Sequence, residues 1–169
     1  MNSKKLFIWG FLFMSVIGTL LHFVYEWSGN NSIVRLFAPW NESTWEHMKL
    51  LFFPMLALVL FLFFKLPEQS PIPVALSIGT LVGLALIPIL FYTYTGVLGF
   101  SVMAIDIAIF YISVLGAFLI EWFLNDNREL ANRRGLLLTC LVILAILFFI
   151  FSYYPVSYTH LTLPTNSRV

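Results

Sequence analysis

Five long apolar runs, at about residues 6–25, 42–65, 74–91, 100–124 and 135–154, limit what this chain can fold into before any single residue is considered. An α-helix rises about 1.5 Å per residue, so each run can cross a hydrocarbon layer ~30 Å thick. Inside such a layer the backbone must satisfy its own hydrogen bonds, which helices do segment by segment. The expected fold is therefore an all-α integral membrane protein, a bundle of five transmembrane helices spanning residues 1–154. Composition agrees: 60% of residues are hydrophobic, 10% are charged, and the mean hydropathy is +0.93, outside the range of soluble domains. The lipid bilayer is the expected partner. A net charge of +1 without a Lys/Arg tract gives no basis for nucleic-acid binding. Nucleotide binding and serine-hydrolase chemistry have no support either, because the chain lacks a Walker A motif, a Rossmann glycine pattern and G-x-S-x-G.

The breaks between the runs carry the detail. Lys4 and Lys5 precede the first run, which continues into His22 and Glu26 with no small-x-small cleavage site, so it reads as a retained helix. Gly29, Asn30 and Asn31 turn the first loop, and Ile33, Val34, Leu36 and Phe37 form an apolar patch suited to the membrane interface. Ser43-Thr44-Trp45-Glu46 reads as a capping box, with Ser43 accepting from the backbone and Glu46 reaching back. Pro54 is expected to kink the second helix. Gly79-x-x-x-Gly83 offers the third helix a small-residue face for close packing. Tyr92 to Gly96 reads as a polar cap after that helix, with Gly96 and Gly99 marking the turn. If the spans alternate, Lys4, Lys5, Lys65, Arg128, Arg133 and Arg134 fall on one side, against Arg35 and Lys49 on the other. By the positive-inside rule the N-terminus is then cytoplasmic. Residues 155–169 are expected to be no domain: VSYTHLTLPT reads as the translation of a sequencing adapter, the natural chain departing near Tyr154, so His160 is kept out of any site.

That topology gathers the polar residues at one membrane level. His22 and Glu26 close the first helix, Glu42, Glu46, His47 and Lys49 open the second, Tyr92 and Tyr94 end the third, and Asp106 lies in the outer half of the fourth. Ionisable groups are costly in hydrocarbon, and a set drawn from four helices points to function. With Cys140 alone in an apolar run, only His, Asp and Glu are available as metal ligands. His22, Glu46, His47 and Asp106 are the expected ligands of a divalent metal such as zinc, with Glu26 or Glu42 as general base and Asn41, Ser43, Trp45, Lys49, Tyr92 and Tyr94 in support. A plainer account also fits: carboxylates favour a helix N-terminus, Glu46 and Lys49 form an i,i+3 pair, and tryptophans anchor at interfaces. Asp106 resists that account, since no cation lies within a turn and it needs either a partner from another helix or a proton of its own.

The words HFVYEWSG, FAPWNESTWEHMKLLFFPML and FYTYTGVLG, followed by a helix containing ID, resemble a family of small bacterial membrane proteins known only as a domain of unknown function. The resemblance covers roughly Leu21 to Ser113. It implies that His22, Glu26, Asn41, Glu42, Ser43, Trp45, Glu46, His47, Lys49 and Asp106 match motif positions; with the positive-inside orientation, the expected location is the bacterial inner membrane with the polar cluster outside. It also implies a Pro- and Asp-containing tail after the last helix, which this chain lacks, and it implies no activity. Three functions compete: a membrane-embedded metal-dependent hydrolase, a cation- or proton-coupled carrier, and a non-catalytic subunit docking a partner. The hydrolase reading departs from H-E-x-x-H, for the order here is Glu46-His47 and the first-helix pair is H-x-x-x-E. The carrier reading lacks a visible internal repeat.

Overall fold

The computed structural model describes residues 3–153, and the tail expected at 155–169 lies outside the described residues. The chain forms helices α1 (Ser3–Trp27), α2 (Thr44–Lys65), α3 (Ile72–Leu98), α4 (Met103–Leu124) and α5 (Arg134–Tyr153). All five are long and apolar enough to cross a membrane. One 3-10 turn, Val34–Leu36, lies in the first loop, and another, Arg128–Arg133, leads into α5.

Local chemistry explains where the elements begin and end. Ser43 precedes α2 in an extended conformation, and its hydroxyl accepts from the Glu46 amide at 3.3 Å. The return arm of the expected capping box is made differently: the Ser43 amide donates to Asn41 Oδ1 at 2.9 Å, which releases the Glu46 carboxylate to turn inward. Helix α3 runs to Leu98, two turns beyond the end read from sequence. The Thr93 and Thr95 hydroxyls donate to the carbonyls of Ile89 and Phe91 at 2.6 and 2.7 Å, so these polar residues are satisfied without unwinding the helix. The stop is Gly99, at φ +79°, whose amide donates to Thr95 O at 2.7 Å. Pro54 and Pro88 both sit inside continuous helices.

Helix α3 is central, packing on α4, α2 and α5, while α1 leans on α2 and α4. The α3–α4 contact is the closest. A Cβ at Gly79 would overlap the Ala117 carbonyl oxygen, and one at Gly83 would stand 2.8 Å from the Ser113 oxygen. In lipid, where burial between helices gains little hydrophobic energy, such backbone approach supplies the van der Waals contact that holds helices together. Phe52, Met55 and Leu62 of α2, Leu76 of α3, Phe118 of α4 and Phe148 of α5 form the shared core. Trp45 and Phe52 bring α5 onto α2 through Phe148, at ring separations of 4.6 and 4.8 Å. Trp9, Phe13, Val16 and Leu20 of α1 face outward, as a lipid-facing surface requires. With short connections between antiparallel neighbours, the ends of α1, α3 and α5 meet the starts of α2 and α4 at one end of the bundle.

Candidate functional site

His22 comes from the last turns of α1, His47 from the first turn of α2, and Glu42 from the loop just before it. Each offers one ligand atom, and the three atoms all lie within 4.8 Å of one another. The two imidazole rings are 5.3 Å apart, and His47 Nε2 lies 3.4 Å from Glu42 Oε2. The group lies near the surface, with side-chain exposures of 30% for His47 and 88% for Glu42.

The other nitrogen of His47 makes this geometry informative. Nδ1 lies 3.0 Å from Ser43 O, and since a carbonyl only accepts, Nδ1 carries a hydrogen and donates it. A neutral His47 would then point the Nε2 lone pair at a carboxylate oxygen, lone pair against lone pair. The contact becomes favourable when a metal ion lies between the two, or when a proton sits on the ring nitrogen or on the carboxyl. A backbone carbonyl holding Nδ1–H is also the arrangement that orients metal-binding histidines.

Beside the group lies a pocket of about 110 Å³. His22, Glu26, Asn41 and Glu42 are its polar lining, and Phe23, Tyr25, Pro39 and Trp40 complete its walls. Glu26, one turn beyond His22, is exposed and faces this space. Two His and one carboxylate beside a pocket match the donor set of catalytic zinc sites and of other borderline divalent ions.

Of the remaining residues singled out from sequence, Glu46 with Lys49 and Asp106 with Tyr94 form two other polar centres. Glu46 lies apart from the His22–Glu42–His47 group: its carboxylate is buried, 2% exposed, and pairs at 2.6 Å with the fully buried Lys49 ammonium. Lys49 also donates to Arg35 O at 2.9 Å, Glu46 accepts from the Trp40 amide at 3.4 Å, and Glu46 Oε1 lies 3.5 Å from Ser152 Oγ, whose hydroxyl also reaches Phe148 O at 2.8 Å. The reason is the released capping arm, which lets the side chain curl under the first loop toward α5. Asp106 is likewise elsewhere, accepting from the Tyr94 hydroxyl of α3, which in turn accepts from the Val102 amide at 3.1 Å. That bond closes the α3–α4 turn and gives Asp106 the partner from another helix it needs. Glu42, read from sequence as a general base, joins the two histidines instead. Trp45 packs on Phe148 and Phe151, and Tyr92 is exposed on α3. At the opposite end of the bundle Glu121 is fully buried, with both carboxylate oxygens lacking a hydrogen-bond partner among the described residues.

Sequence reasoning left out Ser152 and the carbonyl of Arg35. Nothing in an apolar run marks Ser152 as a partner of Glu46, 106 residues away.

Comparison with known proteins adds a family and no activity. The model of a family of unknown function, DUF6512, matches residues 1–167. No curated protein matches the chain. No solved structure matches it either.

Proposed function

The chain belongs to the family of unknown function DUF6512, and we propose that it is a multi-pass protein of the bacterial inner membrane that binds a divalent metal at its outer face and serves as a membrane-embedded hydrolase. His22, Glu42 and His47 hold the ion, zinc being the best match to mixed nitrogen and oxygen donors. The observation that carries this reading is His47, whose Nδ1 is committed to a carbonyl while Nε2 faces a carboxylate at 3.4 Å. A bound divalent ion supplies Lewis acidity at the mouth of the pocket. Glu26, which lines the pocket beside His22, accepts a proton from water entering there.

The test is metal content. The full chain, purified in detergent without chelator and then supplemented with zinc, should hold close to one metal ion, and His22→Ala/His47→Ala should lose it. A folded parent that holds no metal in both preparations overturns the hydrolase reading. The proton alternative for His47 would then favour the carrier, and proton or cation flux in vesicles separates that from a docking subunit.

A further inference from the structure

Beneath the proposed metal site lies a buried ion pair that none of the chemistry above uses. Glu46 and Lys49 are 2% and 0% exposed, one turn apart on α2, with their charged atoms 2.6 Å apart. Burying two charges is unfavourable unless their remaining hydrogen-bonding capacity is met, and here the partners that meet it are specific. Lys49 donates to the Arg35 carbonyl at 2.9 Å, in the middle of the 3-10 turn of the first loop. Glu46 Oε2 accepts from the Trp40 amide at 3.4 Å, and Glu46 Oε1 meets Ser152 of α5 at 3.5 Å. The pair thus grips the loop at two points five residues apart and leans on the last turns of α5.

The gripped segment leads straight into the site. Trp40 and Asn41 line the pocket, Glu42 follows them, and Asn41 Oδ1 accepts from the Ser43 amide at 2.9 Å, so Glu42 is held between a loop fixed from below and a capped helix start. Glu42 itself is 88% exposed, and it pairs with His47. An exposed side chain keeps its rotamer freedom, so what places its carboxylate near two histidines is the backbone that carries it. We propose that Glu46 and Lys49 are positioning residues, whose buried pair fixes residues 35–42 and thereby sets Glu42 against His22 and His47. The inference rests on the metal-site reading for its consequence, and on the hydrogen bonds from the pair to the Arg35 carbonyl and the Trp40 amide for its cause.

Two measurements on the full chain in detergent separate these levels. The first is Co²⁺ titration followed by visible absorption, since the band position and intensity report ligand geometry as well as occupancy. The second is amide hydrogen exchange over residues 35–42, which reads the loop with no metal present. Lys49→Met and Glu46→Gln each leave one buried partner unpaired and can fail to fold. The double variant Glu46→Gln/Lys49→Met removes both charges at similar volume and keeps the experiment decisive. In the double variant we expect the Trp40 amide to exchange at least tenfold faster, Co²⁺ to bind at least tenfold more weakly, and the absorption band to change shape, with helix content as in the parent. A folded double variant with the parent's Co²⁺ spectrum and affinity overturns the positioning role. If the parent itself binds no Co²⁺, the metal reading fails, and exchange alone decides: faster exchange at Trp40 upholds the grip on the loop, and unchanged exchange overturns it.

Discussion

At the residue scale the decisive contrast is between Glu42 and Glu46, two carboxylates four positions apart at the start of one helix. Helical spacing puts them on one face and does not tell them apart; the sequence reading takes Glu46 as a ligand and Glu42, or Glu26, as the base. The structure divides them by environment. Glu46 is buried with Lys49, whereas Glu42 precedes the first helical residue and escapes the helical register altogether. An exposed carboxylate contributes little to folding, so Glu42→Gln should shift stability by less than about 0.5 kcal/mol while weakening metal binding about tenfold or more. Thermal unfolding in detergent and zinc titration check the two halves separately. A loss of stability without loss of affinity would make Glu42 a structural residue. His22 and His47 were legible as a pair because each is a lone imidazole at the same end of adjacent helices. The Nδ1 bond to Ser43 O was not legible, since tautomer and ring orientation depend on distances of tenths of an ångström.

At the element scale the α3–α4 hairpin is the firmest unit, fastened along its length by small residues and at its turn by Tyr94, Asp106 and the Val102 amide. Gly79-x-x-x-Gly83 was readable as a packing face but gave no indication of its partner. The partner is the stretch of α4 around Ser113 and Ala117. Because the obstacle to a Cβ at Gly79 is a backbone carbonyl rather than a flexible side chain, relief requires the helices to part. Gly79→Ala is expected to cost ~1–3 kcal/mol, as overpacking does in close-packed interiors, and to lower the unfolding temperature in detergent. Gly96 is the control: an added Cβ there meets nothing within 4 Å, so Gly96→Ala should leave that temperature unchanged or slightly raised. Helix α3 also shows why a polar stretch is a weak stop signal. Thr93 and Thr95 return their hydroxyls to the preceding turn, and the stop waits for a glycine able to take positive φ.

At the scale of the whole molecule, five antiparallel helices put the polar centres of the first loop, the α3–α4 turn and the end of α5 at one end, and Glu121 and the Arg128–Arg133 segment at the other. The proposed orientation, N-terminus inside, follows from where Lys and Arg concentrate. It is tested in a Cys140→Ser background with single cysteines at Ser32 and Asn127. A membrane-impermeant maleimide added to intact cells should label the first position, and the second only after permeabilisation; the reverse pattern inverts the topology and places the proposed metal site in the cytoplasm. The sequence by itself determined the class of fold, the number of long apolar helices and the end of the bundle that His22 and His47 share, because those follow from run length, helix rise and the alternation of spans. Only the tertiary structure decided which polar groups meet. Whether a carboxylate becomes a ligand, a buried ion-pair partner or a turn clasp depends on the rotation of each helix about its axis and on the path of a loop, and those are fixed by packing between residues far apart in the chain. His47 therefore faces Glu42, Glu46 turns under the loop to Lys49, and Asp106 bonds Tyr94, three outcomes that the spacing of the residues leaves equally open.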